Sequence, residues 1–318
     1  TEIACAKHHI HIQYYILNDD ETGRRLRDAL IAKAREGVEV RILYDDVGSS
    51  GAKKSFFRSM RSEGIEVYAF LHVKFPLFTS KVNYRNHRKI AVIDGCVGFL
   101  GGMNIADRYV RGTRWGTWRD THFRIEGSGA AGLQASFLSD WSATTKQQIA
   151  AAEYYPPAAR FTDNIMQIVS SGPFGKWRTL LQADSYAMAA LAGIDVRLML
   201  PARSDSKVVD LATHSYLDDM MKAGVKILFY MPGFLHSKLL IIDDMLSVIG
   251  SANMDFRSFE HNFEVNAFVY DGEFTARMAS VFEEDQSRSH PLTPAEWFRR
   301  PRSRRVAESL MRVFSPLL

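Results

Sequence analysis

The sequence predicts an α/β fold made of two pseudo-symmetric halves, each a mixed β-sheet flanked by helices, sharing one active site. Three observations predict it. A polar pattern occurs twice, as His87, Lys89, Asp94 and Asn104 and again as His236, Lys238, Asp243 and Asn253, with identical spacing. The segments before each copy also answer one another in order: "GVEVRILYDD" (37–46) matches "GIDVRLMLP" (193–201), and "SEGIEVYAF" (62–70) matches "KAGVKILFY" (222–230). Finally, short runs rich in Val, Ile and aromatics alternate with stretches of helical spacing.

Taken in order, "AKHHIHIQYYI" is a strand candidate, and "TGRRLRDALIAKAREG" follows with Leu26, Ala29, Leu30 and Ala34 on one helical face. Strand, helix and strand then lead to the first motif. "IAVI" and "LLII" are apolar on both parities, which predicts strands buried within a sheet. Asp94-Gly95 supplies turn chemistry for a hairpin. The second half has a defect: only 15 residues lie between Trp177 and Gly193, too few for a strand and a full helix. The expectation is that residues belonging there are omitted, because a sheet lacking one strand keeps an unpaired edge. The expected divisions are 1–150, 151–290 and a basic amphipathic C-terminal segment over 291–318.

Length and composition bound the rest. With 318 residues, 46% hydrophobic and 24% charged, the chain can bury a sizeable core. The net charge of +4 fits an acidic partner. Two cysteines, Cys5 and Cys96, are too few for a disulfide framework and point to a reducing compartment. No apolar run approaches the ~18 residues of a membrane span, and no signal peptide is evident. The chain opens on Thr1 rather than Met, which leaves room for an upstream anchoring segment.

Because side chains alternate along a strand, His87 and Lys89 share one face and Asp94 the other. His236, Lys238 and Asp243 repeat that parity. The histidines and lysines can therefore converge on one ligand, while each aspartate ties down its hairpin or a neighbouring element. Lysine ammonium groups and the Asn104 and Asn253 amides suit phosphate oxygens. Histidine serves as nucleophile, acid or base near neutral pH. Gly101-Gly102 and Gly250-Ser251 would let backbone N–H groups approach an anion. The inventory describes metal-free phosphoryl transfer. A zinc site fits poorly, since Lys is not a usual ligand and no Cys/His cluster accompanies either motif.

The doubled His-x-Lys-x4-Asp with Gly-Gly/Ser-x-Asn resembles the phospholipase D superfamily. Within it, "NYRNHRKIAVIDG", "GGMNIADRY", "GFLHSKLLIIDD", "GSANMDFRSFEHNFEVNAF" and "VFSPLL" resemble bacterial cardiolipin synthases. The resemblance implies two phospholipase D-type halves, no cofactor and no metal. It implies a catalytic set of His87, Lys89, Asp94, His236, Lys238 and Asp243. His87 would attack phosphorus to form a phosphohistidine, and His236 would act as acid and base, although the pseudo-symmetry leaves their order open. Lys89, Lys238, Asn104 and Asn253 would bind the phosphate oxygens. Asp120 and Glu264, aligned as repeat partners, would each orient a histidine.

The resemblance also implies phosphatidylglycerol as donor and acceptor, release of glycerol, and work at the surface of a bacterial cytoplasmic membrane. Between Phe298 and Arg312 the chain holds six Arg against one Glu, with Val306, Leu310, Val313 and Phe314 as an apolar stripe. Such a helix suits an anionic leaflet, or packs on the domain with a solvated basic face. "FLHVKFPLF" (70–78) is a second candidate contact. The competing functions are a hydrolytic phospholipase D, a transferase using another alcohol, a lipid-binding protein without catalysis, and a nuclease. No basic stripe interleaved with aromatics flanks the motifs, so no nucleic-acid partner is expected. The oligomeric state is not legible.

Overall fold

The computed structural model describes residues 1–72, 84–149, 152–157, 162–173, 182–204 and 206–314. Residues 73–83, which include most of "FLHVKFPLF", lie outside them, as does the closing "SPLL". The first half contains strands β1 (His9–Tyr14), β2 (Glu39–Asp45), β3 (Glu66–Phe70), β4 (Lys89–Ile93), β5 (Val97–Gly101), β6 (Thr117–Arg119) and β7 (His122–Glu126). Its helices are α1 (Glu2–Cys5), α2 (Glu21–Arg35), α3 (Lys54–Arg61), α4 (Asp107–Arg111) and α5 (Ser128–Thr145). Six strands form one sheet in the order β3-β2-β1-β4-β5-β7. The β1 strand is central, parallel to β2 and antiparallel to β4, with all six of its residues buried.

The second half runs β8 (Ile165–Ser171), α6 (Gln182–Leu191), β9 (Arg197–Pro201), α7 (Lys207–Lys222), β10 (Lys226–Tyr230), β11 (Gly233–Leu235) and β12 (Leu239–Ile242). It continues with β13 (Leu246–Gly250), α8 (Phe256–Glu260), β14 (Glu264–Tyr270), α9 (Gly272–Ser287), β15 (Ser289–Pro291), α10 (Pro294–Phe298) and α11 (Arg302–Phe314). Here the sheet is split into β15-β10-β9 and β12-β13-β14-β8. The break falls where the first half has β1. The "IAVI" strand is buried on both faces as expected, with Ile93 in one apolar cluster and Ile90 and Val92 in another. The "LLII" strand is not: Leu239–Ile241 are half-buried and Ile242 is exposed, because the neighbouring strand is absent among the described residues.

Helix packing follows the apolar spacing with one exception. Leu26, Leu30 and Ala34 of α2 face the core around β1 and β2, but Ala29 is exposed and Ile31 packs in its stead. Asp20 caps the helix by accepting from the Gly23 N–H at 3.1 Å. The two halves share the core formed by Ile90, Val92, Leu100, Ile125 and Leu133 with Val265, Ala267 and Val269. Burying such side chains contributes roughly 1.5–3 kcal/mol each, so this seam fixes the halves against each other.

At the entry of β1, His9 and His11 are fully buried, their rings tilted by 42° with centroids 4.6 Å apart, and bridged by Gln134. Burial, reinforced by the neighbouring His11, pushes His9 down to about 4, and burial also lowers His11. Both are neutral in the folded state at pH 7. Unfolding frees them to protonate near ~6.5, so their contribution is present above that pH and is lost as the pH falls toward 4. For His9 the loss is up to about 3 kcal/mol. Urea unfolding from pH 7 to 4 should therefore show a steeper loss in the native chain than in His9→Gln. Equal slopes would contradict this assignment.

Candidate active site

The two motif strands deliver their polar ends to the seam between the halves, and the backbone of each is clamped by the opposite half. In the first clamp, the His87 N–H donates to the Phe263 carbonyl at 3.0 Å, and the Phe263 N–H donates to the Arg85 carbonyl at 2.9 Å. In the second, β11 runs parallel to β6, and the His236 N–H donates to the Arg119 carbonyl at 2.8 Å. The carbonyl accepting from each histidine belongs to the residue just before an acid, Glu264 in one case and Asp120 in the other.

Those acids then take the imidazoles. Nδ1 of His87 lies 3.0 and 3.1 Å from the two Glu264 carboxylate oxygens. Nδ1 of His236 lies 2.7 Å from Asp120 Oδ2. Each half thus orients the histidine of the other, a crossing that the linear repeat could not specify. A carboxylate accepts only from an N–H, so each neutral ring carries its proton on Nδ1 and keeps a lone pair on Nε2.

The acids are held in turn. Glu264 is fully buried and accepts from Ser251 Oγ at 2.5 Å and from Asn262 Nδ2 at 3.3 Å. Asp120 accepts from Trp118 Nε1 at 3.4 Å and from the Thr121 N–H at 2.8 Å. Gly102 makes room for the Asp120 carboxylate, and Gly250 for the close approach of β14. A Cβ on Gly102 would stand 2.0 Å from Asp120 Oδ1, and one on Gly250 2.4 Å from the Val265 carbonyl oxygen. Their partners repeat in the ladder, Gly102 N–H to the Thr121 carbonyl and Ser251 N–H to the Val265 carbonyl.

Lys89 and Lys238 complete the cluster, each donating to the carbonyl of its own histidine. Lys89 is completely buried. Burial pushes it down to about 7, against the attraction of Glu264, with repulsion from Lys238 adding to the fall. Burial likewise lowers His87 and takes His236 down to about 3. Burial acts to raise both acids, but interaction with their histidine partners, including the Nδ1–H hydrogen bonds, and with the nearby lysines brings Glu264 and Asp120 below the usual carboxylate range. Near pH 7 the site therefore holds two neutral imidazoles beside two carboxylates. The charge of Lys238 acts on His87 and that of Lys89 on His236, so both halves act on one small volume.

The other predicted residues fall differently. Asn104 spends its amide inside the fold: Oδ1 accepts from the Ile16 N–H at 3.0 Å and Nδ2 donates to Tyr109 Oη at 2.6 Å. It braces the wall beside His236, whose ring lies 6.1 Å from that of Tyr109. Asn253 is half-buried, with its N–H donating to Ser258 Oγ at 3.0 Å. Asp94 and Asp243 do not join the catalytic set. Asp94 sits at the β4–β5 turn with φ 52° and accepts from the N–H groups of Lys7, His8 and His9 at 2.8, 2.8 and 3.0 Å, fastening the entry of β1. Asp243 occupies the matching β12–β13 turn with φ 48° and is exposed.

Aromatic walls escaped the motif search because no spacing announces them. Tyr15 lies edge-on to His87 at 5.0 Å, with the Lys89 ammonium 5.5 Å from its ring centre. Trp118 and Phe234 flank His236 at 5.1 and 5.9 Å. These rings lower the local dielectric and so strengthen the interactions of the charges beside them.

Comparison with known proteins places this geometry. The family described as cardiolipin synthase, phospholipase D-like domain, matches residues 1–141 and 178–286. Cardiolipin synthase 2 of Bacillus cereus is 42% identical over 342 aligned positions, covering 98% of this chain and 66% of that protein. The major cardiolipin synthase of Bacillus subtilis is 39% identical over 347 positions, covering 100% of this chain and 72% of its own length. The chain thus spans about two thirds of the length of these curated relatives. The alignments are longer than the 318 residues here, so the relatives carry residues that this chain lacks. Among solved structures, the phosphatidylserine synthase of Haemophilus influenzae shares the fold with a TM-score of 0.69 at 12% identity, over 100% of this chain and 92% of that one.

The glycine packing makes a direct prediction. Gly102→Ala should displace Asp120 and lower turnover about 10–100-fold, the usual cost of losing a partner that orients a functional ligand. Asp120→Asn should cost a similar factor, and the double variant should cost no more than the larger single effect. Additive losses in kcat would separate Gly102 from the acid.

Proposed function

The chain belongs to the cardiolipin synthase family of phospholipase D-like proteins, and from that premise we propose that it is a phosphatidyltransferase making cardiolipin. It would move a phosphatidyl group from one phosphatidylglycerol to another and release glycerol. The observation that carries the reading is the pair of imidazoles, each held through Nδ1 by a carboxylate of the opposite half, beside two lysines.

In the first step Nε2 of His87 attacks the phosphorus. The P–O bond to glycerol breaks as the P–N bond forms, and the glycerol oxygen takes a proton from Nε2 of His236. In the second step the hydroxyl of the acceptor lipid gives its proton to His236, its oxygen bonds to phosphorus, and the P–N bond breaks. His236 must be protonated to act first. Burial depresses its proton affinity, which supports a role for the anionic substrate, whose charge opposes burial and favours the imidazolium that Asp120 already faces. Lys89 and Lys238 meet the phosphate oxygens and the charge that grows on them in the transition state. The pseudo-symmetry makes the reverse division of labour equally consistent with the hydrogen bonds. His87 is assigned as nucleophile by the family's usual order.

The C-terminal helix supports a membrane partner. Arg304 and Arg312 pair with Asp210 and Asp219 of α7, which docks α11 on the domain. Its apolar stripe points the other way: Val306, Leu310 and Val313 are 60%, 56% and 73% exposed, with Phe298 exposed nearby. The helix is docked on the domain through part of its basic face, and its exposed apolar stripe supports a reading in which it meets a lipid surface. No helix among the described residues is long and apolar enough to cross a membrane.

The test is to incubate the full chain with phosphatidylglycerol vesicles and resolve the lipids, with His87→Ala and His236→Ala as controls. Cardiolipin and free glycerol, lost in both variants, are expected. Phosphatidic acid alone would make the chain a hydrolase, and no lipid turnover would overturn the assignment.

A further inference from the structure

We propose that two arginine–aspartate pairs, Arg88 with Asp140 and Arg119 with Asp285, are positioning residues: each ties the backbone of one orienting acid to the half whose histidine that acid serves. The proposal deepens the transferase reading and rests on it for its rate measurements, but not for its tautomer measurement.

On the His87 side, Arg88 follows the histidine directly and its guanidinium crosses the seam. Nε donates to the Glu264 carbonyl at 3.1 Å and Nη2 to the Ser171 carbonyl at 3.0 Å. Glu264 and Ser171 are register partners on β14 and β8, so one side chain grips both strands. Nη1 donates to Asp140 of α5, which also accepts from Gln13 Nε2 at 2.5 Å and from Asn86 Nδ2 at 3.4 Å. Arg88 and Asp140 are both buried. The acid of the second half is thereby joined to β1, to α5 and to the residue before His87.

On the His236 side the arginine comes from the opposite direction. Arg119 precedes the acid, and its carbonyl already takes the His236 N–H. Its Nη1 donates to the Asp120 carbonyl at 2.6 Å and to Thr121 Oγ1 at 3.3 Å, while Nη2 lies 2.8 Å from Asp285 Oδ2 of α9. Asp285 is buried and also pairs with Arg288 at 3.0 Å. The two helices hold matching places: α5 follows β7 and α9 follows β14. Both read Phe-x-x-Asp, as Phe137 to Asp140 and Phe282 to Asp285.

The arginine itself is not repeated. The residue matching Arg88 in the second motif is Ser237, whose hydroxyl meets Thr121 Oγ1 at 2.5 Å. The residue matching Arg119 is Phe263, whose ring centre lies 5.6 Å from the Arg88 guanidinium carbon. Packing alone gives no reason for both ends of the bridge, the acid's carbonyl and the helix aspartate, to recur when the arginine between them has moved. Fixing that carbonyl fixes the peptide plane beside the acid's Cα, and with it the direction in which the carboxylate leaves the chain. The planar guanidinium fork spans carbonyl and carboxylate together, whereas a lysine keeps the charge without the fork.

The test uses the full chain carrying nitrogen-labelled histidine. Long-range proton–nitrogen NMR near pH 7 reads the ring tautomers, with His87→Ala and His236→Ala assigning the signals. Both native rings should carry the proton on Nδ1. Arg88→Lys, and the milder Asp140→Asn, should turn His87 away from that form and leave His236 unchanged; Arg119→Lys and Asp285→Asn should do the reverse. In cardiolipin formation each variant should lower kcat about 10–100-fold with KM little changed. Arg88→Lys combined with Glu264→Gln should cost no more than the larger single effect. Native tautomers in all four variants, or disturbance of both rings alike by each, would overturn the proposal. So would full kcat in the folded variants. A native chain that turns over no phosphatidylglycerol would remove the transferase reading, and the tautomer pattern would still decide between these outcomes.

Discussion

Everything at the site depends on two buried carboxylate–imidazole pairs that cross the seam, Glu264 with His87 and Asp120 with His236. A buried carboxylate is costly unless paired, and a buried imidazole without a partner would be free to turn. Pairing them across the seam solves both problems at once. It also means that neither half holds a complete site. The backbone clamps on His87 and His236, the glycine that makes room for Asp120, and the shared core of Ile90, Val92, Val265 and Ala267 all keep that crossing in register.

Burial sets the chemistry as well as the geometry. Buried beside Tyr15, Trp118 and Phe234, the site favours neutral imidazoles and a Lys89 that titrates near neutrality. Under the proposed function, the negative charge of an arriving phosphodiester would favour the charged forms of Lys89 and His236 that burial opposes. The site is in this sense preorganised for an anion, with donors fixed in advance rather than recruited.

The polar repeat made the histidines and lysines legible, because four residue types recurring at fixed spacing carry more information than any one of them. Aligning the repeats also reached Asp120 and Glu264. The crossing itself was not legible, since His87 and Glu264 are 177 residues apart and only the folded seam joins them. Gly101-Gly102 looked like an anion cradle, but a short small-residue pair has the same appearance whether it admits a ligand or a neighbouring strand. Asn104 matched the motif yet is occupied by Ile16 and Tyr109. The short stretch before Gly193 was legible, and among the described residues β12 has β13 as its one strand neighbour, which is why Leu239–Ile242 are less buried than their pattern requires.

The most direct test of the two-histidine account is to trap the covalent intermediate. Phosphatidylglycerol labelled in the phosphatidyl group is mixed with the chain, quenched in alkali, digested and mapped by mass spectrometry. The account predicts a phosphoramidate on His87, abolished in Glu264→Gln and His87→Ala and retained when His236→Ala blocks the second step but not slow formation of the adduct. A label on no histidine, with product still forming, would contradict it.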